Sequence, residues 1–290
     1  MSVRDKNKRT EALLKDLIER SFKVRRDVLE MTTKAGSGHP GGSLSCVDIL
    51  VTLYFHVMRH EPRNPTWPER DRFILSKGHA APALYAVLAE AGYFPRAYLQ
   101  DFRKLGSILQ GHPDRNRVPG VENSSGSLGI GLSIANGMAL AARLDKRDYR
   151  VYVLLGDGEC DEGLVWEAAM FAAHYKLDNL VAIIDRNGLQ IDGPTEYVLS
   201  VEPLSQKWRS FGWHVLEVDG HKHIDLIRVF DEAKTFKGRP SVVIAHTVKG
   251  EGVSFMRWIK DYHGKALTEE ELKRALTDLE EWRQKCLKDM

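Results

Sequence analysis

Four short apolar runs in the second half of the chain leave little freedom in the choice of fold: "VYVLL" from Val151, "LVAIID" from Leu180, "WHVLEV" from Trp213 and "SVVIAHTV" from Ser241. Helical stretches near 162–175, 202–211 and 224–236 alternate with them. Strand and helix in alternation imply crossover connections and a parallel sheet covered on both faces. The pattern predicts an α/β fold, doubly wound around a mostly parallel sheet with helices on both faces.

The first half adds to the same body. Leu13, Leu14, Leu17, Ile18, Val24, Val28, Leu29 and Met31 recur at helical spacing between Lys8 and Lys34. A second helix follows over 44–58, then the Pro-rich loop "EPRNPTWPER", the strand "RFILS" and a helix to Ala91. "TEEELKRALTDLEEWRQKCLKDM" reads as a final solvent-facing helix. We read residues 1–290 as one domain, to which the helical part over 1–60 and the helix over 265–290 belong.

Charge excludes some partners. With 42 basic and 40 acidic side chains, the formal charge of +2 carries no nucleic-acid footprint, and the basic start "RDKNKR" reads as a solvated helix beginning. No apolar run approaches the length that spans a bilayer, and no apolar leader opens the sequence. The three scattered cysteines, Cys46, Cys160 and Cys286, neither form a disulfide framework nor supply a zinc pair. A reducing, cytoplasmic setting is expected.

Ligands of an open parallel sheet lie beyond the carboxyl ends of its strands, where loops meet helix N-termini. "SKGHA", "GDGECDEG" and "DRNGLQIDG" each follow a strand, and "GSGHPGGS" and "GHPDRNRVPGVENSSGSLGIG" are long enough to reach the same edge. Gly156 and Gly158 let the backbone approach a bulky anion, but Asp157 between them would repel a phosphate unless a cation bridges the two. Asn187 follows thirty residues later at the end of the next strand. With the carbonyl of Leu189, it completes an oxygen set suited to a hard divalent ion such as Mg2+. Either element alone is an ordinary turn; the pair, each at a strand end, points to a metal and phosphate site.

Histidine supplies the second signal. His39, His79, His112 and His263 all sit in glycine-flanked loops rather than on an apolar helical face. General acid and base chemistry needs groups that hydrogen bond and exchange protons near neutrality. His221 and His223 carry no assignment and read as solvent-exposed loop residues.

The GDG opening and the Asn187 closing resemble the thiamine diphosphate signature. "AGSGHPGGSLSCVDIL", "SKGHAAPALYAVLAEAGYF", "GHPD", "GSLGIG", "GDGECDEG" and "KGEGVSFM" with "YHGK" resemble, in this order, the cofactor-binding domain of transketolase. The resemblance covers about residues 10–270. It implies thiamine diphosphate with Mg2+, or Ca2+ or Mn2+, held by Asp157, Asn187 and Leu189. Gly156, Gly158, His79 and His263 would contact the cofactor, and the backbone of Gly126 and Leu128 its aminopyrimidine. His39 and His263 would flank the donor ketose and take the proton of its C3 hydroxyl, while His112 would hold the C1 hydroxyl. Glu162 and Glu167 match acids at the interface between paired cofactor sites. Arg186 stands where the family often has Asn or Asp, and Ser127 and Ile130 depart from its usual Gly-Pro-Leu-Gly-Gln-Gly.

The implied reaction moves a two-carbon glycolyl unit from a ketose phosphate to an aldose phosphate. That chemistry takes a glutamate and an aromatic platform from a second, pyrimidine-binding domain, which is not found after "YHGK". The expectation is therefore the N-terminal subunit of a split transketolase, self-associating and completed by a separate C-terminal subunit in a heterotetramer. Alternatives are another thiamine diphosphate enzyme subunit, of the 2-oxoacid dehydrogenase α or deoxyxylulose-phosphate synthase kind, and a non-catalytic cofactor-binding homologue.

Overall fold

The structure, a computed structural model, describes residues 3–290, and side chains from Asn7 onward. Its elements in chain order are α1 (Val3–Ala35), α2 (Pro40–Leu44), α3 (Val47–Thr52), β1 (Arg72–Leu75), α4 (Ala81–Ala91), α5 (Ile130–Leu144), β2 (Val151–Gly156), α6 (Gly163–His174), β3 (Leu180–Arg186), α7 (Thr195–Val198), α8 (Leu204–Ser210), β4 (His214–Asp219), α9 (His223–Thr235), β5 (Ser241–His246) and α10 (Glu269–Lys288). The expected second helix is broken into α2, α3 and a π-helical turn over Leu53–Val57. Of the basic start, Lys8 and Arg9 are exposed and the side chains of residues 4–6 lie outside the described residues.

The five strands pair in the order β1-β2-β3-β5-β4, every neighbour parallel, with Gly156 opposite Asp185 and Asp219 opposite His246 at the carboxyl ends. Successive strand residues point to opposite faces. Tyr152, Leu154, Val181, Ile183, Val243 and Ala245 join one core with α1, α3, α4 and α9. Val151, Val153, Leu155, Ala182, Ile184 and Ile244 join a second core with α5, α6 and α8. Both faces are thus buried, as the unbroken apolar strands require.

Helix α5, rich in glycine and alanine, is not among the helices expected from the sequence. Those small residues let α5 lie close to α6, where Asn136 Nδ2 donates to the carbonyl of Ala168 at 2.8 Å. The final helix is not simply solvent-facing either. Ala275 and Leu279 of α10 are buried, and the Arg25 guanidinium of α1 lies 4.2 Å over the Trp282 ring. A capping box, Thr268 with Glu271, starts this helix and contributes about 1 kcal/mol.

His221 and His223 are not free loop residues. His223, the first residue of α9, is buried, with Nδ1 2.8 Å from Thr52 Oγ1 and Nε2 3.1 Å from Ser21 Oγ. His221 Nδ1 lies 2.9 Å from Asp48 Oδ2, and its Nε2 accepts from the Val248 amide. Both belong to the packing around the buried Arg25–Asp48 pair, where polar groups must find partners.

Candidate active site

The carboxyl ends of β2, β3 and β5 open into a cavity of about 310 Å³. His39, His79, His263, Gly126, Leu128, Gly156, Asp157, Gly158, Asn187 and Leu189 all line it. Loops spread from residue 39 to residue 263 therefore meet at one sheet edge. His112 stands at its margin, its ring centroid 6.5 Å from that of His39. His39 lies 5.3 Å from His79 and 5.5 Å from His263, and His79 lies 5.0 Å from His263. Glu162 and Glu167 do not line the cavity and are exposed around the start of α6.

Asp157 follows β2 with its carboxylate buried. Oδ1 accepts from the Gly158 amide at 2.8 Å, while Oδ2 accepts from the Gly188 amide at 2.6 Å and from Arg186 Nη1 at 3.1 Å. Burial first, and then the neighbouring Asp185, push its pKa up. Asn187 is oriented by its surroundings: Nδ2 donates to Asp185 Oδ2 at 3.1 Å, and Oδ1 accepts from the Leu189 amide at 3.2 Å.

Two lysines and two acids that the sequence reading did not single out hold these groups. Lys77, from "SKGHA", is fully buried, bonded to the Asp185 carboxylate and to the carbonyl of Gly42. Asp185 also accepts from Ser45 Oγ at 2.7 Å and from Thr247 Oγ1. Burial alone would raise the Asp185 pKa, but Lys77 and these donors bring it below the ordinary value. Glu159 joins three loops, accepting from Ser76 Oγ, from the Gly129 amide at 2.9 Å and from the Gly156 amide at 3.0 Å. Lys249 Nζ donates to the carbonyl of Leu189 at 2.9 Å and lies 2.9 Å from His263 Nδ1.

The electrostatics are unusual for so small a space. Burial is the largest influence on all four histidines: His39 is lowered to about 4, His263 to about 3, and His79 and His112 are lowered too. Burial and Lys77 lower Lys249 to about 8. The imidazoles are thus neutral at pH 7 while both lysines remain charged. Because Lys249 takes Nδ1 of His263 as its acceptor, the neutral His263 ring carries its proton on Nε2. His39 Nδ1, by contrast, is buried without a partner among the described residues.

These residues fit a metal and an organic diphosphate together. Lys249 is a buried cation bonded to a carbonyl and an imidazole, so an anion stabilises it; Asp157 is a buried carboxylate with a raised pKa, so a further cation stabilises it. Asp157, the Asn187 amide oxygen and the Leu189 carbonyl, which here accepts from Lys249, are oxygens of the kind that could hold a hard divalent ion.

The model of the transketolase thiamine diphosphate-binding domain matches residues 20–284. The chain is 47% identical over 265 residues to the 6-deoxy-6-sulfo-D-fructose transketolase subunit of Clostridium sp. (strain MSTE9), covering 91% of this chain and 96% of that one. It is also 47% identical over 269 residues to an apulose-4-phosphate transketolase subunit of Phocaeicola vulgatus, covering 93% and 95%. The crystal structure of transketolase from Campylobacter jejuni superposes with a TM-score of 0.86 at 34% identity, covering 91% of this chain and 42% of that one. The chain therefore spans about two fifths of that transketolase but nearly all of the two subunits. Fold and sequence agree, and the chain belongs to the transketolase family as its thiamine diphosphate-binding domain.

Proposed function

We propose that this chain is the cofactor-binding subunit of a split transketolase, which moves a two-carbon glycolyl unit from a ketose to an aldose. The observation that carries the reading is the cavity in which three loop histidines, with His112 at the margin, meet two buried lysines and the residues Asp157, Asn187 and Leu189. Bound there with Mg2+, thiamine diphosphate supplies the electron sink for cleaving the bond beside a ketose carbonyl. Asp157, Asn187 and Leu189 would hold the ion, Lys249 would neutralise the diphosphate and the neutral His79 would donate to it. Gly126 and Leu128 present backbone to the aminopyrimidine.

The protons divide between two histidines. His263, with its proton on Nε2, donates to a substrate oxygen, whereas His39, with Nδ1 unpartnered, is the ring free to take the proton of the donor's C3 hydroxyl. His112 holds the C1 hydroxyl from the exposed side. Clustered neutral imidazoles can donate and accept without the mutual repulsion four imidazolium rings would suffer.

The relatives that this chain covers almost completely are named as subunits, which supports a separate subunit carrying the pyrimidine-binding domain. Their names specify a sulfo sugar and a sugar phosphate, so the donor class here is a ketose with an anionic terminus. Glu162 and Glu167 lie at the interface between paired sites, and a heterotetramer in the cytoplasm completes the reading.

The test is calorimetric titration with thiamine diphosphate, with and without Mg2+, in the wild type and Asp157→Ala, followed by a glycolyl-transfer assay with the partner subunit supplied. Metal-dependent binding that the variant loses, and turnover that appears only with the partner, are expected. Binding without turnover in the complete complex would favour a non-catalytic cofactor-binding homologue.

A further inference from the structure

Arg103 occupies a left-handed backbone conformation, φ +61°, that a long side chain adopts only when its surroundings hold it there. Its amide donates to the carbonyl of Leu109 at 2.8 Å, closing the turn between residues 103 and 109. The guanidinium then reaches two of the histidine loops. Nη1 donates to Ser37 Oγ at 2.7 Å, two residues before His39. On its other side it presses on Gly111, immediately before His112: a Cβ there would meet Arg103 Nη2 at 2.8 Å. Nε is buried without a partner, and the side chain pairs with no carboxylate among the described residues. An arginine in a strained backbone, unneutralised and wedged between two site loops, is more than a surface charge.

We propose that Arg103 is a positioning residue for the reaction: it clamps the loops bearing His39 and His112 to each other and sets an uncompensated positive charge against both rings. The inference rests on the reading of these histidines as the groups that face the ketose. The clamp has two consequences. It fixes the separation of a ring that takes a proton from one that holds a hydroxyl, and it adds to burial in favouring the neutral form of both rings. After burial, Arg103 is the next influence lowering the pKa of each histidine. His39 also faces the His79, His112 and His263 rings and the Lys249 ammonium. Near His112, Asp114 is engaged by the Asn116 amide and by Arg117.

The test is a ring-proton NMR titration of the histidines in the full chain, with melting temperatures, for wild type, Arg103→Lys, Arg103→Gln and Arg103→Gly. His39→Asn and His112→Asn assign the signals, and the exposed His174 serves as an internal control. In the Gln and Gly variants the His39 and His112 midpoints rise by roughly 0.5 to 1 pH while His174 stays in place. The Lys variant keeps them low, and the Gly variant melts within a few degrees of wild type because glycine accepts the left-handed conformation freely. Midpoints unchanged in both uncharged variants would overturn the proposal and leave Arg103 a structural prop. Should the Gly variant not fold, the Gln variant decides. If the wild type failed to bind thiamine diphosphate, the proposed function would fall, while the midpoints would still judge Arg103.

Discussion

Arg186 Nη1 lies 3.1 Å from Asp157 Oδ2, so the carboxylate expected to hold a divalent ion already carries a guanidinium partner. The same arginine reaches Glu196 and Glu202, each at 3.0 Å, which spread its charge over the loops after β3. In the proposed site it would temper the affinity of Asp157 for a metal. Arg186→Gln should bind Mg2+ roughly three- to tenfold more tightly at low salt, with the difference shrinking as salt is added. Calorimetry in the presence of thiamine diphosphate reads this directly, and unchanged affinity would show that the pair is electrostatically silent.

Lys249 gives the site a pH dependence. Burial and Lys77 bring its pKa to about 8, below the ordinary lysine value, so its charge is lost within an accessible range. Diphosphate affinity should accordingly fall as pH rises above about 8. Stability moves the other way: between about 8 and 10.5 the unfolded chain binds more protons at this group, so the folded state gains as pH rises. Lys249→Arg should flatten the affinity profile by keeping its charge throughout.

Asp48 holds a framework that the site depends on. It pairs at 2.6 Å with Arg25, which is fully buried, and at 2.9 Å with His221, whose other nitrogen receives the Val248 amide beside Lys249. Asp48→Asn leaves the arginine charge buried without its counterion and should cost about 3–5 kcal/mol. Burial raises the Asp48 pKa, but Arg25 and His221 more than offset that and leave it well below the usual carboxylate range. A depressed folded pKa gives stability that is present above the unfolded value of about 3.9 and lost as pH falls below it. Urea melts from neutral pH down to about 3 should show this loss in wild type and less of it in the variant.

Glu159 is predicted to set the stiffness of the loop that carries Gly126 and Leu128. A glutamine amide there keeps one acceptor oxygen where the carboxylate serves three donors, so Glu159→Gln should cost about 1–3 kcal/mol. Amide exchange at Gly129 and Gly156 should accelerate by roughly tenfold or more. Exchange that stays protected would place the control of this loop elsewhere.

Close backbone contact limits the Lys249 loop. Gly250 has φ +81°, and a Cβ there would meet the carbonyl oxygen of Met256 at 2.4 Å. Gly250→Ala should therefore destabilise by about 1–3 kcal/mol and weaken diphosphate binding as Lys249 shifts. Thermal melts and calorimetry together distinguish this from a silent substitution.

Much of this architecture is legible in the sequence because apolar strands and glycine-rich turns are local signals. The four later strands and the three helices expected between them fall within a residue or two of their expected bounds, short α7 being unforeseen, and the loops named for His39, His79, Asp157, Asn187 and His263 do meet. Helix α5 is hidden because a helix that approaches α6 closely uses small residues, which dilute the apolar periodicity. His221 and His223 mislead because polar residues after a strand look like solvent-facing loop; their partners, Asp48, Thr52 and Ser21, come from remote helices. Lys77, Lys249 and Asp185 lie within quoted motifs, yet their burial is a property of the assembled site.

The rings of His39 and His263 stand 5.5 Å apart although all five strands of the sheet come between them in the sequence. During synthesis the chain emerges from its N-terminus, so the first of these loops waits for the last. No shorter nascent piece brings the two rings together. The meeting of these two rings thus reports that synthesis has passed His263 and that the whole sheet has closed behind it.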